Sequence, residues 1–350
     1  MILCFKKHYL INIFPIFVFF CINSFLLHSL SPSELLQDNE RIAADAKQVI
    51  QFYTLNENEK WRDITKEILN SNETSETAKK SIKKYRRRII VFQYPSDELK
   101  IKGFFSYTPN PALHPLLILF RWGNQNFALM NPGLDLATYE NYTVISSTLR
   151  GGVSEGNDEF GGADVNDMKN LIDFIPTLAK ELNIQIHPHC TFMLGPSRGG
   201  LEMFLTLSRY PELQKKVTKV VALSSILDLH EQIRDRPHDM KPMFEESFGL
   251  NKQNWENWIQ KRDPLQTVSK INPNLPILIV QGAKDPRIDL KEGYRMRDTL
   301  EKHGHRVSYI EVPNGNHTLS NVPQAMNFIA DWLEYNANCQ TDNTKRNHEH

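Results

Sequence analysis

Short, nearly continuous apolar runs recur along the middle of the chain, and stretches with helical periodicity separate most of them. A strand that is buried on both faces has this composition, because helices cover the two faces of a parallel sheet. The alternation with helical segments such as 166–182 and 201–210 therefore predicts an α/β fold, with a mostly parallel central sheet flanked by helices. The predicted strands are residues 116–120, 143–147, 191–194, 220–223, 277–280 and 307–312.

The region ahead of these strands has a different pattern. Strands at 89–93 and 99–107 flank a turn-forming Pro-Ser-Asp sequence and are predicted to form a hairpin. Residues 30–88 are predicted as a helical N-terminal extension, because apolar residues recur there at steps of three and four. One such stripe contains Leu35, Leu36, Ile42, Ala46, Val49, Ile50 and Tyr53, and a shorter one contains Trp61, Ile64 and Ile68.

Residues 1–29 predict export through a membrane. Lys6 and Lys7 precede an apolar run at 9–27, and no acidic residue occurs before Glu34. A basic start followed by an apolar run is typical of a signal peptide. The run is also about as long as a membrane span, so a cleaved signal and an uncleaved anchor both remain open. In either case we expect the rest of the chain outside the cytoplasm: periplasmic, secreted, or attached to the membrane through residues 9–27.

Charge and cysteine usage exclude several classes of protein. The chain has 41 basic and 41 acidic residues, so it lacks the overall positive charge of a nucleic-acid-binding protein. Four cysteines in 350 residues cannot form a disulfide scaffold. Cys190 and Cys339 could pair in an oxidising compartment, but a buried free thiol at Cys190 is favoured. His187 and His189 precede Cys190 without a second ligand pair at zinc-like spacing, so no metal or cofactor is predicted.

A Gly-x-Ser-x-Gly sequence stands where one predicted strand meets the following helix. Gly195, Ser197 and Gly199 follow the apolar run 191–194, and a helical pattern begins at Leu201. The sharp strand-to-helix turn forces strained backbone angles on the serine, and the glycines on either side relieve the crowding. Ser197 is therefore the candidate nucleophile, at the N-terminal end of a helix whose N–H groups favour negative charge.

A serine nucleophile needs a histidine base and an acid that orients it, and in this fold the chain order is Ser, acid, His. Asp285 follows the predicted strand 277–280, and His317 follows the strand 307–312. These are the candidate acid and base, because each lies just past the end of a late strand. The competing residues lie off a strand end or before the last strand; they are Asp263, Asp289, His303 and His305.

Two N–H donors are needed to stabilise the oxyanion that forms during acyl transfer. The backbone N–H of Arg198, directly after the candidate nucleophile, is one candidate. The loop after the strand 116–120 should supply the other, and the backbone N–H of Trp122 is the candidate there.

Several motifs together resemble the prolyl oligopeptidase family of serine hydrolases. The resemblance covers roughly residues 89–336 and implies the catalytic domain of an α/β-hydrolase, a Ser197–Asp285–His317 triad, and hydrolysis of a peptide or ester through an acyl-enzyme. The large oligopeptidases of this family carry an N-terminal β-propeller, for which residues 30–88 are too few. The motifs are Arg121-Trp-Gly-Asn124, the glycine-rich and acidic run from Leu149 to Asp164, Gly195-Pro-Ser-Arg-Gly-Gly200, Asp285-Pro-Arg-Ile288 and Gly315-Asn-His317.

The residues predict a serine hydrolase, and the resemblance implies a serine-type peptidase that cleaves a short peptide amide bond. The alternatives are a carboxylesterase acting on a small acyl ester and an inactive binding module with the same fold. Residues 228–262 are predicted as a helical insertion before the acid-bearing strand, and its aromatic residues either roof the pocket or only pack the insertion onto the body. Arg121 either attracts an acidic substrate or is buried in an ion pair. Residues 337–350 are a polar tail.

Overall fold

A nine-stranded sheet runs through the computed structural model, which describes residues 32–109, 114–133, 142–187, 189–335 and 337. The strands are β1 (Trp61–Asp63), β2 (Arg88–Ser96), β3 (Leu99–Tyr107), β4 (Leu116–Leu119), β5 (Thr143–Ser147), β6 (Thr191–Pro196), β7 (Lys219–Leu223), β8 (Ile277–Gly282) and β9 (Val307–Val312). In space they follow the order β1-β2-β3-β5-β4-β6-β7-β8-β9.

Most of the sheet is parallel. All neighbours from β5 through β4, β6, β7 and β8 to β9 pair in parallel, whereas β1, β2, β3 and β5 pair antiparallel in that order. The hairpin of β2 and β3 closes at Ser96 and Leu99, as the turn sequence predicts. The predicted α/β fold with a mostly parallel sheet is confirmed.

Helices cover both faces of the sheet, because alternate residues of each central strand point to opposite sides. The helices are α1 (Pro32–Val49), α2 (Thr65–Asn70), α3 (Glu76–Lys84), α4 (Asp164–Glu181), α5 (Arg198–Arg209), α6 (Leu229–Asp235), α7 (Met240–Phe248), α8 (Trp255–Gln260), α9 (Leu290–Lys302) and α10 (Pro323–Glu334). Leu116 and Ile118 of β4 join an apolar cluster with α4, α5 and α9, while Leu117 and Leu119 join a second cluster with α1 and α10.

The N-terminal extension is not helical throughout. Trp61, predicted as part of a helical stripe, begins strand β1, which pairs with the outer edge of β2. The exposed edge of β2 offers unpaired N–H and C=O groups, and the extended segment satisfies them. The N–H of Gln93 donates to the carbonyl of Lys60 at 2.9 Å, and the N–H of Ile64 donates to the carbonyl of Ile89 at 2.9 Å. Tertiary pairing thus overrides a three- and four-residue spacing that also fits a helix.

Cys190, at the start of β6, is buried and disulfide-bonded, so the expectation of a free thiol is wrong. Its sulfur lies 3.7 Å from the carbonyl oxygen of Ala337, so the chain that follows α10 returns to the beginning of β6. The partner cysteine lies outside the described residues. Sequence spacing alone does not reveal such proximity, which depends on how α10 packs against the sheet.

None of the helices in the described part of the chain is both long and apolar enough to cross a membrane. The run at 9–27, on which the prediction of a signal or anchor depends, lies outside the described residues.

Candidate active site

Ser197 occupies the turn between β6 and α5, with φ 52° and ψ −126°. This backbone conformation is rare for a residue with a side chain, and strain of this kind is concentrated at functional sites. Three backbone hydrogen bonds hold Ser197 in this conformation, one of them from the N–H of Gly200 at 3.1 Å. The N–H of Ser197 donates to the carbonyl of Leu223 at 3.0 Å, and the N–H of Ile226 donates to the carbonyl of Ser197 at 3.0 Å.

The glycines around Ser197 are required by close backbone contacts. A Cβ on Gly195 would lie 2.5 Å from the carbonyl oxygen of Gly199, and one on Gly199 would lie 2.8 Å from the carbonyl oxygen of Phe120. A Cβ on Gly200 would overlap the side chain of Ser225. The Gly-x-Ser-x-Gly sequence therefore lets the turn close and lets the loop after β4 approach the first turn of α5.

Asp285 and His317 form a hydrogen bond between Oδ2 and Nδ1 of 2.8 Å. The other carboxylate oxygen of Asp285 accepts the N–H of Arg287 at 2.8 Å and that of Ile288 at 3.2 Å. The carboxylate of Asp285 is 1% exposed and the imidazole of His317 is 19% exposed, so the acid is buried behind the more accessible histidine. Partners on both oxygens fix the carboxylate, which in turn fixes the orientation of the imidazole ring.

Ser197 and His317 line the same cavity, which has a volume of about 980 Å³. The two candidate oxyanion residues, Trp122 and Arg198, line it as well. Asp285 lies behind His317. The structure thus brings all five residues predicted from the sequence to one edge of the sheet, past the carboxyl ends of β4, β6, β8 and β9. Ligands bind at this edge in open α/β sheets.

The backbone N–H groups of Trp122 and Arg198 donate to no other group in the described part of the chain. An N–H group that is left over in this way can bind a ligand oxygen. Arg198 opens α5, so its N–H also lies at the positive end of the helix dipole. Both residues line the cavity that Ser197 lines, and an oxyanion hole requires two such available donors.

The side chain of Arg198 points away from the cavity into a buried group of three carboxylates. Its guanidinium contacts Asp158 Oδ2 at 2.7 Å, Glu202 Oε1 at 2.9 Å and also Asp164, and it donates to the carbonyl of Gly123 at 3.0 Å. All four charged side chains are at most 1% exposed. The sequence motifs do not predict that the Arg198 side chain joins these carboxylates. A basic residue at the start of a helix opposes the dipole, and this mismatch, together with an acid four residues later, is the signal that could have revealed it.

The buried carboxylates differ in their protonation. Burial raises the pKa of Glu202 to about 8, and the negative charge of Asp164 adds to this effect. Burial acts in the same direction on Asp158, but the charge of Arg198 outweighs it and holds the pKa of Asp158 below its ordinary value. At neutral pH we therefore expect Asp158 to be ionised and Glu202 to be largely protonated.

Among the described residues, Arg121 has no ion-pair partner and is not part of the cavity lining, so neither interpretation of this residue holds there. Its buried guanidinium donates to four backbone carbonyls in and beside the loop after β4, and so holds that loop in shape. Burial and the charge of Arg198 lower the pKa of Arg121 to about 10. The carbonyl partners are those of Trp122 at 3.0 Å, Gln125 at 2.6 Å, Phe127 at 3.0 Å and Thr148 at 2.8 Å.

The segment 228–262 lines part of the cavity with the polar residues Gln232, Arg236 and Asp239 and with two methionines. Met240 and Met243 line the cavity, and the side-chain amide of Asn124 contacts the sulfur of Met243 at 3.7 Å. The aromatic residues of the segment are not among the lining residues and pack the segment onto the body instead. Phe244 is buried between Trp258 of the segment, at 5.2 Å between ring centroids, and Phe160 of the body, at 4.8 Å. Helices α6, α7 and α8 make up this segment.

Comparisons with known proteins agree with this geometry. Residues 134–340 match the family model described as prolyl oligopeptidase family. The chain is 24% identical to dipeptidyl peptidase family member 6 of Caenorhabditis elegans over 202 residues, which cover 55% of this chain and 26% of that protein. It is also 24% identical to an uncharacterized peptidase, YuxL, of Bacillus subtilis (strain 168) over 216 residues, which cover 55% of this chain and 30% of YuxL. The matched region thus spans less than a third of either relative.

Solved structures show the same fold. A puromycin-hydrolyzing peptidase of Mycobacterium tuberculosis superimposes with a TM-score of 0.57 at 16% identity, covering 71% of this chain and 39% of that one. An acylaminoacyl peptidase of Pyrococcus horikoshii superimposes with a TM-score of 0.58 at 15% identity, covering 73% and 42%. At this level of identity the likeness supports the α/β-hydrolase fold alone.

Proposed function

From the premise that this chain belongs to the prolyl oligopeptidase family, we propose that it is a serine peptidase that cleaves an amide bond of a short peptide through an acyl-enzyme. The observation that carries the proposal is the 2.8 Å hydrogen bond between Asp285 and His317, in a site where His317 shares one cavity with Ser197. The curated relatives named above are described as peptidases, which favours the amide over other acyl substrates.

Each residue then has one role. The hydroxyl oxygen of Ser197 attacks the substrate carbonyl carbon, and its proton passes to the free ring nitrogen of His317. Asp285 stabilises the imidazolium that forms and keeps the ring in place. The N–H groups of Trp122 and Arg198 hold the negatively charged oxygen.

Two steps complete the cycle. The scissile C–N bond breaks as His317 returns the proton to the leaving amine, which leaves an ester on Ser197. Water then attacks this ester, giving up a proton to His317, and the acid product departs when the proton returns to Ser197.

A carboxylesterase is the second candidate, and the lining of the cavity favours it. The half-buried side chains of Trp122, Met240 and Met243 offer an apolar surface to an acyl chain. The triad serves esters and amides alike, because the two differ only in the leaving group. An inactive binding module with this fold is the alternative from another class, and the arrangement of Ser197, Asp285 and His317 argues against it.

Hydrolysis of two kinds of chromogenic substrate tests the proposal. A short-chain p-nitrophenyl ester is compared with aminoacyl and Gly-Pro p-nitroanilides, and Ser197→Ala serves as the control. We expect turnover of an anilide that Ser197→Ala abolishes. Turnover of the ester alone would make the protein a carboxylesterase. If the wild type and Ser197→Ala had equal hydrolysis rates on every substrate, and the wild type did not react with a fluorophosphonate, the protein would be a binding module and not an enzyme.

We also propose that the protein is exported. The disulfide at Cys190 supports this location, because structural disulfides persist in oxidising compartments. The basic and apolar pattern of residues 1–29 supports it independently. Fractionation of expressing cells, with the mass of the recovered chain, tests the proposal. A full-length chain in the cytoplasmic fraction would contradict it.

A further inference from the structure

Helix α1, in the extension ahead of the hydrolase body, forms one wall of the active-site cavity. Positions three and four residues apart share one face of a helix. Nine α1 residues line the same cavity as Ser197 and His317, and the five of them that are buried or half-buried lie at such positions. These five are Asp38, Asn39, Ile42, Ala46 and Val49.

The C-terminal end of α1 is held by packing. Val49 and, in the turn that follows, Phe52 and Tyr53 are buried in an apolar cluster that includes Leu129. The hydroxyl of Tyr53 donates to the carbonyl of Met130 at 2.7 Å. Leu129 and Met130 belong to the loop after β4, the loop that carries Trp122.

The N-terminal half of α1 is held by polar contacts to the loop of the proposed catalytic acid. The guanidinium of Arg287 is 10% exposed, forms an ion pair with Asp38, and donates to the side-chain oxygen of Asn39 at 2.9 Å. Arg287 stands two residues after Asp285. Burial alone would raise the pKa of Asp38, but hydrogen bonds from Arg287 and Arg41 outweigh burial and lower it. Asp38 is therefore a charged partner of Arg287 at neutral pH.

We propose that α1 is the specificity-determining wall of this enzyme, and that the contact of Asp38 and Asn39 with Arg287, here called the α1 clamp, sets the greatest length of substrate that the cavity accepts. The C-terminal end of α1 is fixed to the loop that carries Trp122, and its N-terminal half is fixed to the loop that contains Asp285 and Arg287. Helix α1 therefore bounds the cavity on one side. The volume of about 980 Å³ is of the size that holds a small ligand. The inference rests on the proposed hydrolase function and adds to it the element that limits substrate length.

A length series of substrates tests the α1 clamp. The p-nitroanilide, or failing that the ester, that the full chain cleaves best is extended at its acyl end by successive alanine residues, and kcat/KM is measured for each length. In the wild type we expect kcat/KM to fall steeply beyond a limiting length. In Asp38→Ala we expect the ratio of long to short substrates to rise by about tenfold, because loss of a charged hydrogen bond loosens the wall.

Two further variants keep the test decisive if Asp38→Ala unfolds. Ile42→Trp, which puts a larger side chain on the same wall, should lower the ratio of long to short substrates. Asp298→Ala removes a carboxylate that pairs with Arg297 at 2.7 Å on the surface of α9, and it should leave the ratio as in the wild type. Equal ratios in all four proteins would overturn the role of α1.

Binding separates this inference from the proposed function. The same series of peptides is titrated calorimetrically into Ser197→Ala and into Ser197→Ala combined with Asp38→Ala. Absence of turnover by the wild type would contradict the proposed function. The length limit would still be measurable, because Ser197→Ala should bind long peptides weakly and the double variant should bind them more tightly. Equal affinity of both proteins for long peptides would contradict the length limit alone.

Discussion

The guanidinium of Arg198 and the carboxylate of Asp158 form a 2.7 Å ion pair with both side chains 1% exposed. The pair joins the two segments that carry the candidate oxyanion donors, since Asp158 also accepts the N–H of Gln125, in the loop of Trp122, at 3.0 Å. Arg198 therefore has two roles. Its backbone faces the cavity, and its side chain fixes the distance between α5 and the loop that carries Trp122.

Replacement of Asp158 by Asn should lower kcat more than it changes KM. Complete loss of an oxyanion donor costs about 100- to 1000-fold in kcat. Here the donors are displaced rather than removed, so we expect a decrease in kcat of about 10- to 100-fold on the substrate that the wild type cleaves best. Asp173→Asn, which alters an exposed carboxylate on α4, is the matched control. A folded Asp158→Asn protein with unchanged kcat would show that the ion pair does not position the donors.

The raised pKa of Glu202 predicts a specific dependence of stability on pH. The unfolded chain releases the Glu202 proton near pH 4.5, whereas the folded protein retains it until about pH 8. The folded state therefore binds more protons between these values, and the contribution of Glu202 to stability decreases as the pH rises through that window. Glu202→Gln has no such proton. We expect its Tm relative to the wild type to increase steadily from pH 5 to pH 8. A constant Tm difference across that range would mean that Glu202 is already ionised in the folded protein.

The glycine after the Gly-x-Ser-x-Gly sequence should not tolerate a methyl group. In Gly200→Ala the added Cβ would overlap the side chain of Ser225, so the turn must shift, and we expect a loss of about 2–3 kcal/mol in the free energy of unfolding. Gly249→Ala, where φ is 61° and no neighbour is within 4 Å, should cost only about 1 kcal/mol. Removing the Ser225 side chain in the double variant Gly200→Ala/Ser225→Gly should restore part of the loss. Equal costs for the two single variants in chemical denaturation would contradict the packing argument.

The disulfide at Cys190 should stabilise the folded chain. Its reduction should lower the free energy of unfolding by about 2–4 kcal/mol. Thermal unfolding with and without a thiol reductant measures this effect. Cys190→Ala is the control, and its Tm should not respond to the reductant. An unchanged wild-type Tm in the presence of the reductant would contradict the prediction, provided that the thiols are shown to be free after the treatment.

The sequence predicts the sheet and the location of Ser197, Asp285 and His317 because these features depend on local patterns. Apolar runs mark the buried strands, and each of the three residues stands within a few positions of a strand end. The Arg198 network does not follow from such patterns, because Asp158 lies 40 residues from Arg198 along the chain. The same is true of Asp38 and Arg287, separated by 249 residues, and of strand β1, which forms because the edge of β2 is available.

The most direct test of the central proposal is the site of covalent labelling by a fluorophosphonate, measured by mass spectrometry on the wild type, Ser197→Ala and His317→Gln. We expect one label on the wild-type peptide that contains Ser197, no label in Ser197→Ala, and much slower labelling in His317→Gln, because the hydroxyl needs the histidine base to react. An unlabelled wild type, or equal labelling of Ser197→Ala, would contradict the assignment of Ser197 as the nucleophile.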